Sequence, residues 1–567
     1  MVQRSFVRTL TELHEIRRRF APPDTARKCA ILRAIVARGA TVRTWKLLDR
    51  LNDDLLFLCA FPDSPEVRAL AVAALDRVEP ALRRLSLRER AKADDSGIAG
   101  SASRYSFEYP AARWLAARYS EKVRIDWPAV ENAGTIETLI GAGVARAEDD
   151  ALDESELGAR RWLRLAGRSA NTTDLAALLS LAPRDRKAES LFARMYDAAG
   201  IPLRWDLAGS GAATTRNMIP TSEPACRTGL RRPSSSPVRD ISTPLVEIRV
   251  ASAREAVRLI AAGRSALAAR CREVFATSCA NPSEVWIAAL GEGAELAIYG
   301  LPAHQRVSIE ANYGYVLFVN GVPAAYGGVT PLYKQANTGI NIFGPFRGSE
   351  GAFLWAQMLR AFRSLFGITR FVVNAVQFGE GNDEAIASGA YWFYWRLGFR
   401  PASAKLRRLA AAEALRIATG KNRRTSARTL RRLAVGDLHL ALPGASRAAL
   451  FDEPWLARCA LLATKVLSDA DPRSRASATK TVAKRVASDL GVRTSSWPAA
   501  QRESFARLAP VVALLPAVRR WSSRDKRGLV AMMRAKGGTV ERDFVLRAAE
   551  HPRFFPELIA LFRQARA

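Results

Sequence analysis

The sequence predicts an α/β protein in which a central mixed-sheet domain is flanked by all-helical N- and C-terminal regions. Three observations carry this. Apolar residues recur at helical spacing almost without interruption to about residue 205, and again beyond Pro401. Strand-like segments bounded by turn residues occur only between those limits. Within them Asn320-Gly321 separates two apolar runs, Tyr315 to Val319 and Val322 to Tyr326, which is the strongest short-range hairpin signal a sequence offers.

In order along the chain, residues 1–205 read as a helical domain. Lys28 to Ala37, Thr44 to Phe61, Ser64 to Leu85 and Leu175 to Ala199 carry apolar residues on one helical face, with Pro62, Pro65 and Pro80 as punctuation. The composition of these helices is similar but has no fixed period, so no repeat is demonstrated. The acidic run Glu148, Asp149, Asp150, Asp153, Glu154 and Glu156 reads as a solvated helix start, since nothing in its spacing gathers carboxylates around one metal. Residues 206–244 are rich in Gly, Ser, Thr and Pro and read as a flexible linker.

Residues 245–405 change character. Strands are expected at Leu245 to Val250, Glu284 to Ala289, Glu295 to Tyr299 and Arg306 to Ala311, with a helix from Ala253 to Phe275. After the hairpin come a strand at Thr338 to Phe343, a helix at Gly351 to Phe366, a strand at Arg370 to Val376 and a helix at Asn382 to Leu397. Residues 406–567 return to helix as a basic domain. Lys405, Arg407, Arg408, Arg416, Lys421, Arg423, Arg424, Arg428, Arg431 and Arg432 cluster at its start with almost no acid among them, the best single anion-binding candidate. A solvated helical face is the plainer reading of the same run.

Bulk properties set the outer limits. At 567 residues the chain exceeds one ordinary core, and a hydrophobic fraction of 49% supports packed domains. The formal charge of +31 implies a broad positive potential, suited to an anionic macromolecule such as nucleic acid or an acidic protein, although arginine-rich composition also arises without one. Six scattered cysteines show no metal-type spacing, and no window reaches membrane-spanning length without charge, so a cytoplasmic protein without integral membrane association is expected. Gly420-Lys421 lacks the first glycine and the hydroxyl residue of a P-loop, Gly291-Glu-Gly293 lacks the third glycine of a dinucleotide fingerprint, and His14, His304, His439 and His551 form no metal set.

Two motifs remain. Gly344-Pro-Phe-Arg-Gly-Ser-Glu-Gly-Ala352 joins a strand to a helix, and such a loop presents backbone N–H groups to a phosphate. Ala390-Tyr-Trp-Phe-Tyr394-Trp-Arg-Leu-Gly398-Phe399 closes the region. Together with the order of elements they make residues 280–402 resemble the GNAT superfamily of acyl-coenzyme A N-acyltransferases. In its pyrophosphate loop Arg347 and Ala352 match and Glu350 stands in place of the central glycine; Ala387 stands where the family commonly has Asn.

The resemblance implies an acetyl-CoA or other acyl-CoA co-substrate, no metal, and direct transfer to an unknown amine acceptor. Ile342, Phe343, Gly344, Phe346, Arg347, Gly348, Ser349, Gly351 and Ala352 would hold the cofactor: the backbone from Ile342 to Gly344 its pantetheine arm, the loop its pyrophosphate. Transfer requires an acid for the departing thiolate and a base for the ammonium proton. Tyr394 by motif position is the acid. Glu350 is the first catalytic candidate for the base, with Glu310, Glu380, Asp383 and Glu384 left open. The rival expectation is a non-catalytic GNAT-like scaffold within a basic nucleic-acid- or protein-binding protein, in which Tyr394 and its aromatic neighbours are core.

Overall fold

A computed structural model describes residues 2–154, 157–167, 172–221, 223–245, 247–420, 424–445, 451 and 453–564. Glu156, Lys421 and Arg423 lie outside the described residues. The chain divides into two compact units, the first comprising Met1–Leu230, Arg258–Cys279 and Phe318–Ala324, the second Arg231–Val257, Ala280–Leu317 and Ala325–Ala567.

The first unit opens with helices Val2–Ile16, Pro22–Arg38, Trp45–Ala60 and Pro65–Leu75. Ser64 caps the last of these by accepting the Val67 N–H at 3.1 Å, with Pro65 at the first helical position, where its missing N–H costs nothing. The expectation of helix throughout residues 1–205 needs correcting. Strands Ala102–Tyr105, Val123–Ile125 and Leu203–Asp206 form a small antiparallel sheet with Leu203–Asp206 in the centre. Each is only three or four residues long, too short to display a period of two against surrounding helix. Trp205, Tyr196, Phe192 and Leu203 lie in the core that this sheet shares with helices Tyr109–Arg118 and Arg186–Ala199. The acidic run is not confined to a helix start: its described members run through helix Arg146–Glu154, from Glu148 and Asp149 in the first turn to Glu154 at the end. Beyond the sheet the Gly- and Thr-rich stretch stays irregular, yet Leu207, Ser210, Ala213 and Thr215 are buried within this unit.

The second unit is built on a ten-stranded mixed sheet. Its strands run in the spatial order Arg400–Pro401, Leu438–Ala441, Arg370–Val373, Gln335–Thr338, Val322–Leu332, Tyr313–Val319, Ala294–Tyr299, Val285–Gly291 and Ile248–Val250, with the short Asn341–Ile342 beside Val322–Leu332. Residues 306–311, expected as a strand, are not one. Leu438–Ala441, inside the region expected to be all helix, inserts between Arg370–Val373 and Arg400–Pro401, antiparallel to both. Four residues reading Leu-His-Leu-Ala become a strand because two distant segments offer unpaired edges.

Helix Gly351–Phe366 packs its buried face on this sheet, with Tyr313–Phe366 and Tyr315–Phe362 ring centroids 4.6 and 5.3 Å apart, and ends at Gly367 in the left-handed region. Helix Pro237–Ser242 lies against it, and Arg360 donates to the carbonyls of Thr243 and Pro244 at 2.8 and 2.7 Å. Helices from Glu453 to Gln564 complete the unit. Among the described residues no helix is long and apolar enough to cross a membrane, and no group of three His, Cys, Asp or Glu side chains is placed to hold a metal ion.

Candidate functional site

The site is framed by a strand that loses one of its two partners midway. Gln335, Ala336 and Asn337 pair in parallel with Arg370, Phe371 and Val372. On its other edge the strand pairs antiparallel with Val322–Leu332, from Leu332↔Gln335 to Val329↔Thr338, and in the same register again at Asn341↔Tyr326 and Ile342↔Ala325. The parallel partner turns away after Val373 into a 3-10 turn at Ala375–Gln377. Beyond Asn337 the two parallel strands therefore part: Thr338, Asn341 and Ile342 pair on one side only, and Gly339 and Ile340 lie outside any strand.

Side chains from three elements converge where they part. Tyr394, on helix Ala390–Arg396, makes a hydrogen bond with the backbone of Ile340. Burial pushes its phenol well above the ordinary tyrosine value, with that bond opposing the shift, and the residue is only 2% exposed. Tyr315 donates its hydroxyl to the Gly339 carbonyl. Gln377 lies across Gly339, so close that a Cβ there would stand 2.7 Å from its Cδ. The helix expected over Asn382 to Leu397 is two helices, Asp383–Ser388 and Ala390–Arg396, broken at Gly389 with φ +67°. That break turns Tyr391 and Tyr394 inward onto Phe378, with centroids 5.7 and 6.2 Å apart.

The Gly344 loop leads out of the same strand. Phe343 stacks on Tyr326 at 5.1 Å and Phe346 is buried, so two aromatic anchors fix the loop while Gly344, Arg347 and Gly348 face solvent. A 3-10 turn at Gly344–Phe346 uses the N–H groups of Phe346, Arg347 and Ser349 on the carbonyls of Phe343, Gly344 and Phe346. Those three are therefore occupied locally. The first turn of helix Gly351–Phe366 is different: the side chain of its N-cap residue, Glu350, makes no capping bond, and the N–H groups at Gly351 and Ala352 lie at the positive end of the helix. A Cβ at Gly351 would meet Ile342 Cδ1 at 2.6 Å, so the end of that side chain would have to turn aside.

The expected site residues take unequal parts. Ile342 through Ala352 and Tyr394 are brought to neighbouring segments of one sheet edge. Arg347 is exposed, ion-paired to Glu384 at 2.6 Å and donating to the Ile342 carbonyl at 3.3 Å. Glu350 is fully buried and accepts the Arg231 N–H at 3.1 Å, so its carboxylate holds the chain segment before helix Pro237–Ser242 in place. Among the other carboxylates Asp383 pairs with Arg431 at 3.0 Å, and burial raises the pKa of Glu310, against the nearby Lys536 charge. Glu380 is exposed and carries no ion pair among the described residues. Asn382 and Ser388 are used locally, as a helix cap on Ala385 N–H and as a donor to the Ala385 carbonyl.

Gln377, Gly339 and Tyr315 were not legible as site residues. Gly339, a lone glycine in an apolar strand, is the one signal of close approach the sequence carried. No family model, curated protein or solved structure matches the chain.

Proposed function

We propose that the second unit is an acyl-coenzyme A-dependent N-acyltransferase domain of GNAT type, transferring an acyl group, acetyl in the simplest case, to an amine. The observation that carries this is the parting of the parallel strands at Asn337 and Val372, with the Tyr394 hydroxyl at the freed Ile340 backbone and an uncapped helix start one short loop further on. Acyl-coenzyme A would supply an activated thioester. The N–H groups at Gly351 and Ala352 and the Arg347 guanidinium suit its pyrophosphate, and the Arg347–Glu384 pair, exposed on both sides, costs about 1 kcal/mol or less to exchange.

Chemically, the amine nitrogen bonds to the thioester carbonyl carbon, the C–S bond breaks, the amine loses a proton and the sulfur gains one. Tyr394, with its raised pKa, stays protonated at neutral pH and acts as hydrogen-bond donor to the departing sulfur. Glu350 is held by the Arg231 N–H, so the amine proton is better assigned to Glu380 or, through water, to solvent. The broad positive charge favours an acceptor carried on an anionic macromolecule over a free polyamine.

A second reading has its own observation: Gln377 on Gly339 and the buried Tyr394 fill the space between the parted strands, which suits a non-catalytic scaffold. Isothermal titration with coenzyme A separates the two. Saturable binding supports the transferase; no heat at millimolar concentration sinks it and leaves the scaffold.

A further inference from the structure

Part of the arginine cluster after residue 404 is spent. Arg407 binds the carbonyls of Pro401 and Ala402, Arg416 pairs with Glu413 at 2.7 Å and Arg431 with Asp383. Helix Ala404–Thr419, which carries Arg407 and Arg416, buries a single residue, Ala410, and is weakly anchored. A different helix of the same unit combines firm anchoring with unspent charge. Arg475–Leu490 buries Ala478, Val482, Val486 and Leu490, a stripe at spacings of four, against helices Glu453–Ala470 and Ala499–Val512. Its opposite face carries Lys480, Thr481, Lys484 and Ser488, with Arg485 at the edge, all exposed.

The charge on that face is uncompensated. Lys480, Lys484 and Arg485 make no ion pair among the described residues. The two acids nearest in sequence are engaged elsewhere: Asp489 pairs with Arg519 at 3.1 Å, and Asp471 is held by the N–H groups of Arg473 and Ser474 at 3.0 and 3.2 Å. The face offers no large apolar side chain, so it lacks the anchor that a protein hot spot or a membrane surface requires. Charge and hydroxyl donors without aromatics are what a phosphodiester backbone needs, since phosphate contacts position a nucleic acid without reading its bases.

We propose that the Lys480–Lys484–Arg485 face of helix Arg475–Leu490 binds the phosphodiester backbone of a nucleic acid, independently of sequence. The proposal stands apart from the acyltransferase reading. The test uses the full chain, a short mixed-sequence DNA duplex, single-stranded RNA of equal length, an acidic polypeptide and phosphatidylserine-containing vesicles. K480Q/K484Q/R485Q is compared with R408Q/R428Q/R432Q, thermal melting serving as the folding control because all six side chains are exposed.

Expected is salt-dependent binding of nucleic acid, with the first triple variant weaker by about tenfold for each side chain neutralised at 0.1 M salt and its log-log salt slope flattened by about 1 for each phosphate it no longer pairs with. The two nucleic acids show which backbone is preferred. The proposal is overturned by unchanged binding in that variant, by the whole loss falling on the second variant, by no nucleic-acid binding at low salt, or by binding confined to vesicles or the acidic polypeptide.

Discussion

The Gln377 side chain rests on the backbone of Gly339, at the point where two parallel strands stop pairing. With Tyr315 on the Gly339 carbonyl and Tyr394 on the Ile340 backbone, three elements meet over two residues. The segment is thus held by side chains rather than by a third strand.

Gly339→Ala forces the flexible end of Gln377 aside and is expected to lower stability by about 1 kcal/mol. Adding Gln377→Ala restores most of that, a coupling readable by urea unfolding of the double-mutant cycle. On the acyltransferase reading, Gln377→Ala alone also tightens coenzyme A binding, because it clears the space between the strands.

Tyr394→Phe keeps the ring against Phe378 and Phe399 but removes the hydroxyl. Stability should fall by about 1 kcal/mol. Turnover should fall by about 10²-fold with coenzyme A affinity unchanged. An unchanged rate removes Tyr394 from the chemistry.

Glu350 separates structure from catalysis. Glu350→Gln retains an acceptor for the Arg231 N–H and should leave both fold and rate close to wild type, whereas Glu350→Ala orphans that N–H and costs about 1–3 kcal/mol. A large rate loss in a stably folded Glu350→Gln protein would return this carboxylate to the role of base.

A buried polar network ties the C-terminal helices to the sheet of the second unit. Glu284 accepts from Arg306 at 3.1 Å, from the Tyr313 hydroxyl at 2.8 Å and from the N–H groups of Glu541 and Arg542 at 2.8 and 2.9 Å. Arg306 also donates to four backbone carbonyls, among them Leu301 and Gly538. Arg306→Met strands the Glu284 carboxylate and should cost about 3–5 kcal/mol in denaturant unfolding. Arg306→Met with Glu284→Gln should recover part of the loss.

His439, in the inserted strand, has its pKa pushed down to about 4, first by burial and then by the Arg370 charge. The unfolded chain binds its proton near 6.5, so between there and about 4 the unfolded state holds more protons and stability falls as pH falls. His439→Gln should show a shallower loss than wild type across that window, measured as the urea midpoint against pH. Parallel curves would refute the burial of a neutral imidazole.

Much of the fold was legible where signals are local. The Asn320-Gly321 turn has φ +47° and +77°, as a tight hairpin demands, and helix Gly351–Phe366 has the bounds its apolar spacing gives. Leu438–Ala441 was not legible, because a four-residue strand is defined by distant partners. The site was legible as a loop and an aromatic ending, but the buried state of Glu350 and the position of Gln377 depend on contacts with residues far off in sequence. Charge behaved likewise: Arg407, Arg416 and Arg431 of the dense run are spent on carbonyls and carboxylates, while the sparser Lys480 and Lys484 stay unpaired among the described residues.

Hydrogen exchange with and without coenzyme A tests the central claim most directly, since it reports both binding and place. The acyltransferase account predicts slowed exchange confined to the backbone from Thr338 to Phe353, strongest at Gly351 and Ala352 in the uncapped first turn. Unchanged exchange throughout that segment at saturating coenzyme A, or protection located elsewhere in the chain, would contradict it.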